Sequence, residues 1–124
     1  MDLNEGTVQC ELYRRLRNRG YRCLSEPTLN VDNDEAMSRK RSFLNPDMAV
    51  LNDRDDIVLL IEVKSVGTER TAKKYSIGPY MNPDEAPTKQ IHDYACTDYP
   101  VFVCRGWDDI DDIVSIVEFE MVLE

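Results

Sequence analysis

Asn45-Pro46-Asp47-Met48-Ala49-Val50 and, after a short polar connection, Ile57-Val58-Leu59-Leu60-Ile61-Glu62-Val63-Lys64-Ser65 make up the most apolar part of the chain. Nothing polar interrupts Ile57 to Ile61, which predicts a strand covered on both faces. The run then ends in charge. Glu62 and Lys64 are two residues apart, so on a strand they point to the same face. A buried charge is costly unless it is paired or bound to a metal, so this ending calls for a partner. Asp47 to Leu51 reads as the preceding strand, and Asn52-Asp53-Arg54-Asp55-Asp56 as the turn. Together they predict a hairpin.

Upstream, residues 3–19 read as a helix. Asn4 is the candidate cap, Glu5 sits in the first turn, and Val8, Leu12 and Leu16 form the apolar stripe. Arg14, Arg15, Arg17 and Arg19 gather at its far end, and Gly20 is the candidate stop. Glu5 falls inside the apolar arc, Gln9 at its edge and Glu11 on the other side. Tyr21 to Leu24 is a short strand candidate. Residues 25–45 read as a loop rich in turn formers, with the basic end Ser38-Arg39-Lys40-Arg41.

Downstream, residues 66–87 read as an irregular stretch. It carries Arg70, Lys73, Lys74, Tyr75 and Tyr80, a mix suited to phosphates and bases. Part of it can instead form a strand around Tyr75. A helix is predicted from Pro87 to Thr97, with the proline in its first turn. Gln90 and Tyr94, four apart, share a face of it. Pro100 to Cys104 reads as a strand, Asp108 to Asp112 as an acidic turn or short helix, and Ile113 to Leu123 as a last strand. The order αβββαβ, with that extra strand, predicts one α/β domain over residues 1–124, a mixed sheet flanked by helices.

The 124 residues suffice for one domain with a real core. No run is long enough to span a membrane, and the opening MDLNEGTVQC lacks the pattern of a signal peptide. A cytoplasmic protein with no membrane partner is the expectation. The net charge of −9 argues against a protein that simply coats nucleic acid. That charge is unevenly spread, because residues 98–124 hold eight acids and one base. Cys10, Cys23, Cys96 and Cys104 form no close pair of the kind that binds zinc, so they read as small buried residues.

If the two central strands are neighbours, Asp47, Glu62 and Lys64 meet at one end of the sheet. Two carboxylates suit Mg²⁺ or Mn²⁺, which favour oxygen ligands and also bind substrate phosphate. The Val63 carbonyl, between the two side chains, is a natural extra ligand. Lys64 would sit beside an attacking water or stabilise a pentavalent phosphate.

These residues resemble the PD-(D/E)xK nuclease superfamily, with its restriction-endonuclease-like αβββαβ core. The pattern is Pro46-Asp47, fourteen intervening residues, then Glu62-Val63-Lys64 at the end of an apolar strand. Gln90-Ile91-His92-Asp93-Tyr94 resembles the QxxxY element of its RecB-like members. Arg15-Leu16-Arg17-Asn18-Arg19-Gly20-Tyr21 with Ile61-Glu62-Val63-Lys64-Ser65 is similar to archaeal Holliday-junction resolvases, and small phage VRR-NUC domains share the outline. The resemblance implies a Mg²⁺- or Mn²⁺-dependent hydrolase cutting DNA phosphodiesters, in an archaeal, bacterial or viral setting.

The implied catalytic set is Asp47, Glu62, Lys64, Glu5, Gln90 and Tyr94. Metal ligands would be Asp47, Glu62, Val63 and Glu5, with Arg39, Lys40, Arg41, Arg70, Lys73 and Lys74 on the DNA. At the position where the resolvases place a glutamate from the first helix, this chain has Gln9; Glu5 lies one turn earlier on the same side. Three readings follow. The chain is an endonuclease of DNA replication, recombination or repair, dimeric like the resolvases. Or it is a DNA exonuclease or flap nuclease working with a helicase or a replication or recombination partner. Or it is a silent nuclease-fold module that binds a partner through its acidic face. His92 reads as a surface or capping residue and Trp107 as a partly buried loop aromatic. RecB-like exonucleases with an iron–sulfur cluster carry closely spaced late cysteines, which this chain lacks.

Overall fold

The fold comes from a computed structural model, which describes residues 4–30, 43–64 and 74–124. Helix α1 spans Glu5–Asn18, β1 Arg22–Ser25, β2 Leu29–Asn30, β3 Phe43–Leu44, β4 Met48–Leu51 and β5 Ile57–Val63. Helix α2 (Lys89–Ala95), β6 (Val101–Cys104) and α3 (Ile110–Leu123) complete the order, with short 3-10 turns at Pro83–Glu85 and Trp107–Asp109. The predicted α/β class, a mixed sheet flanked by helices, is what the chain forms.

Helix α1 begins and ends where its sequence directs. The Asn4 side chain accepts the Thr7 N–H at 2.8 Å, and Gly20 follows the helix with φ +87°, a conformation that costs glycine little. The main sheet has the order β1-β4-β5-β6. Strands β1, β4 and β5 run antiparallel; a short turn joins β4 to β5, while residues 26–47, which include the β2–β3 ribbon, lie between β1 and β4. Strand β6 runs parallel to β5, because the chain crosses over through α2 before it returns. Strands β2 and β3 form a separate two-stranded ribbon.

Each face of the sheet has its own core. Leu59, Ile61 and Val63 of β5 join Met48, Val50, Phe102 and the buried rows of α1 and α3 on one face. Leu60 joins Ala49, Val101, Val103, Ile91 and Tyr94 on the other, beneath α2. This is the period-two alternation of a strand buried on both sides.

The outer edge of β6 is occupied by residues 77–80. Val103 N–H donates to the Ile77 carbonyl at 2.8 Å, and Tyr80 and Val101 exchange bonds of 2.8 and 3.1 Å. Gly78 makes this approach possible. Its φ is +110°, and a Cβ there would lie 2.7 Å from the Val101 carbonyl oxygen.

Several expectations need correction. Residues 113–123 are not a strand but the body of α3. Its buried residues Ile110, Ile113, Val114 and Val117 follow the i, i+3, i+4, i+7 spacing of a helix; the alternation of Val117, Phe119, Met121 and Leu123 suggested a strand, and the helical spacing overrides it. The helix expected from Pro87 to Thr97 is shorter: Thr88 is its cap, accepting the Ile91 N–H, and Pro87 stands outside. The loop expected over residues 25–45 contains the β2–β3 ribbon.

The acidic C-terminal segment is partly answered from within. Asp111 pairs with Arg15 and Glu118 with Arg19, tying α3 to α1. Among the described residues no helix is long and apolar enough to cross a membrane.

Candidate active site at the end of the central hairpin

The β4–β5 register pairs Met48 with Ile61 and Ala49 with Leu60. Carried one step further it sets Asp47 opposite Glu62, and another step sets Pro46 opposite Val63. The amides of Leu60 and Lys64 donate to β6, to the Pro100 and Cys104 carbonyls, so Ile61 and Val63 direct theirs to β4. Pro46 has no N–H with which to continue that ladder. At the same step the Val63 N–H donates to a side chain rather than to backbone, because Asp47 Oδ2 accepts it at 2.7 Å. The Val63 carbonyl, on the same side of the strand, faces a residue that cannot donate to it. The sequence Pro-Asp thus both ends the ladder and fixes the carboxylate.

Asp47, Glu62 and Lys64 share parity with Ala49 and Leu60, so they belong to the α2 face. Glu62 is only 4% exposed, and its Oε2 is buried without a hydrogen-bond partner. Burial, followed by the adjacent Asp47 carboxylate, pushes its acid up to about 9, against opposing effects of Lys64 and Tyr94.

From Lys64 a directional chain of hydrogen bonds runs away from the acids. The Lys64 Nζ donates to Gln90 Oε1 at 2.5 Å. Gln90 Nε2 donates to the Tyr94 hydroxyl at 3.3 Å, which donates to the Asn45 carbonyl at 3.1 Å. The i, i+4 spacing on α2 aligns Gln90 and Tyr94, and the Thr88 cap fixes where that helix starts. Burial, then the Glu62 charge, raises the Tyr94 phenol above its ordinary range, so it remains a donor. The Asn45 carbonyl is a part that the sequence reading missed. The residue before a proline is held extended, and that was the available signal.

Helix α1 lies on the opposite face, and this decides what its polar residues reach. Gln9 Nε2 contacts the backbone carbonyl of Asp47 at 3.3 Å, not its carboxylate. Glu5 is exposed in the first turn. The described residues hold no group of three or more His, Cys, Asp and Glu side chains placed for one metal ion, so Glu5 is not gathered with Asp47 and Glu62. Two carboxylates remain, with the Val63 carbonyl beside them. That donor set fits a hard divalent cation: a fully buried carboxylate oxygen with no partner, beside a second carboxylate, is satisfied by an ion that prefers oxygen.

Of the basic residues assigned to DNA, Lys74 is exposed. Arg39, Lys40, Arg41, Arg70 and Lys73 lie outside the described residues, as does Ser65. The segment that re-enters at Lys74 is tied to the site end of β6. Arg105 forms a bidentate pair with Asp109 at 2.7 and 3.0 Å, and its Nη1 donates to the Tyr75 carbonyl at 3.4 Å.

Cys23 and Cys104 are buried, which pushes each thiol up to about 11, and they behave as small apolar residues; Cys10 is instead exposed on α1 and Cys96 half-buried after α2, so the expectation of four buried cysteines holds for two. His92, half-buried on α2, contacts the buried Asp93 at 3.2 Å. Trp107 is 39% exposed beside the Arg15 guanidinium. Comparison with protein-family models, curated proteins and solved structures returned no match to this chain.

Proposed function

We propose that this chain is a metal-dependent nuclease of the PD-(D/E)xK type, hydrolysing DNA phosphodiester bonds. The observation that carries the reading is the juxtaposition of Asp47 with a buried Glu62, whose Oε2 has no hydrogen-bond partner, at the end of adjacent strands, with Lys64 on the same face. Asp47, Glu62 and the Val63 carbonyl would hold Mg²⁺ or Mn²⁺. Such an ion, when bound, supplies a Lewis acid for a phosphoryl oxygen and makes water a stronger acid.

The chain's own residues do the rest. Asp47 is held in place by the Val63 N–H, which its Oδ2 accepts. Lys64 places an ammonium where negative charge develops on the phosphate. Gln90, held by Tyr94, restricts that ammonium to one position, so less ordering is needed on binding. The basic residues named above would contact the DNA backbone and position it.

Among nuclease modes, an endonuclease of replication, recombination or repair is the reading adopted. Incubation with supercoiled plasmid, linear duplex and four-way-junction DNA, with Mg²⁺ and with Mn²⁺, tests it. Metal-dependent nicking of the plasmid is expected. Cleavage of linear ends alone would turn the reading to an exonuclease or flap nuclease. No cleavage of any substrate would leave a nuclease-fold binding module.

A further inference from the structure

The β2–β3 ribbon holds an aromatic ring out to solvent beside the candidate site. Phe43 is 45% exposed, while the next residue, Leu44, is 3% exposed. The register pairs Leu29 with Leu44 and Asn30 with Phe43. Leu29 and Leu44 pack into the core beneath α2. The period of two therefore turns Phe43 outward, on the face of the sheet that carries Asp47, Glu62 and Lys64.

Asn45 ties this ribbon to the site. Its carbonyl accepts the Tyr94 hydroxyl at 3.1 Å. Its side-chain Nδ2 donates to Thr28 Oγ1 at 2.8 Å and to the Pro27 carbonyl at 3.3 Å. One residue thus pins the lead-in to β2, the end of β3 and, through Tyr94 and Gln90, Lys64. Phe43 stands four residues before Asp47, so chain length alone keeps the two Cα atoms within about 14 Å. At the 3.4 Å rise of a stacked strand, that span is about four nucleotides.

We propose that Phe43 is a stacking platform for an unpaired base of the DNA strand bound at Asp47 and Glu62. The substrate is then DNA that is single-stranded or opened beside the cleavage position. In an intact duplex both faces of a base are covered by its neighbours, whereas an unpaired base offers a face to an aromatic ring. The inference rests on the nuclease reading and adds the substrate class to it. Position, not charge, decides the occupant: the connection from β2 to β3 holds Asp32, Asp34 and Glu35 against Arg39, Lys40 and Arg41. A protein interface needs about 1,000 Å², far more than one ring flanked by the exposed, polar Thr28 and Asn45. A single base needs only the ring.

The test is fluorescence anisotropy of the intact chain with Ca²⁺, an oxygen-seeking cation of the same charge as Mg²⁺. The probes are a labelled single strand of about 12 nucleotides, three of the sites proposed above end to end, the same strand with abasic residues throughout, and a blunt duplex. Phe43→Leu should weaken binding of the single strand about tenfold. It should leave the abasic strand and the duplex unchanged, and Phe43→Tyr should bind the single strand as the wild type does. Leu24→Ser removes an equally exposed apolar group, without a ring, from the neighbouring strand β1, and should also leave binding unchanged. Wild-type affinity in Phe43→Leu overturns the proposal. So does an equal loss on the abasic strand, or an equal loss in Leu24→Ser, since neither requires stacking. A wild-type dimer, seen by sedimentation, that Phe43→Leu dissociates would assign the ring to a contact between copies and overturn it too. Plasmid cleavage with Mg²⁺ keeps the two readings apart: a wild type that nicks the plasmid while Phe43→Leu binds single strands undiminished retains the nuclease and loses the platform, and a wild type that neither cleaves nor binds loses both.

Discussion

The two sides of β5 differ by one pleat and do opposite things. Leu59, Ile61 and Val63 meet α1 and α3 across an apolar core that continues to the end of the strand. Leu60 and Glu62 meet α2, and on that side the core stops at an acid. One side holds the sheet to two long helices; the other gives up apolar contact at its end for a carboxylate pair and an ammonium. Stability and chemistry are thus separated by side-chain parity within seven residues of strand. The shorter helix lies over the chemical side, which is why Gln90 and Tyr94 reach Lys64 and why Gln9 reaches only backbone.

The sharpest way to break this separation is on the α2 side. Lys64→Ala should lower Mg²⁺- or Mn²⁺-dependent cleavage at least about 1000-fold, equivalent to ~4 kcal/mol in the barrier, with an unchanged thermal midpoint. Asp47→Ala should do the same to cleavage. Wild-type cleavage rates in both variants would end the nuclease reading. On the other side, Ile61→Ala should cost ~2–5 kcal/mol of stability by urea unfolding, while the folded fraction keeps its cleavage rate per molecule.

A smaller effect comes from Glu62, whose acid is raised from its ordinary 4.5 to about 9. The folded protein then binds a proton that the unfolded chain has released. In metal-free protein its contribution is fully present below about pH 4.5 and is lost as pH rises to about 9. Thermal midpoints measured in chelator should fall across that window. Glu62→Gln should flatten most of that decline, because the amide carries no charge to bury. Mg²⁺ should raise the wild-type midpoint at pH 8 and leave the variant's nearly unmoved. A wild-type profile that is flat from pH 5 to 9 would show that Glu62 is not held protonated. The smallest effect is expected from Tyr94→Phe, which deletes the bond to the Asn45 carbonyl and the acceptor for Gln90. About 1 kcal/mol of stability should go, with a loss of cleavage below about tenfold.

How much of this was legible in the sequence follows from which forces act locally. Strand β5, its hairpin and the meeting of Asp47 with Glu62 could be read because apolar runs, turn residues and the period of two are local signals. The boundaries of α1 could be read from Asn4 and Gly20. Helix α3 could not, because Val117, Phe119, Met121 and Leu123 alternate like a strand while the buried Ile110, Ile113, Val114 and Val117 follow a helical spacing. Pro87 looked like a first-turn residue, yet Thr88 offered the better cap. Glu5 lay on the apolar arc of α1, but which face of the sheet that helix covers is a tertiary fact. The hydrogen-bond chain from Lys64 to the Asn45 carbonyl joins residues far apart in sequence, so only its Gln90–Tyr94 link was visible beforehand.

The close approach of Gly78 to β6 bears on solubility. A sheet ending in Val101-Phe102-Val103-Cys104 with a free edge would offer an apolar template for another chain. Residues 77–80 spend that edge's bonding capacity internally, and only a residue without a Cβ fits against the Val101 carbonyl. Replacing Gly78 would push the segment away and uncover the strand, leaving β6 with an open edge that can pair with another chain.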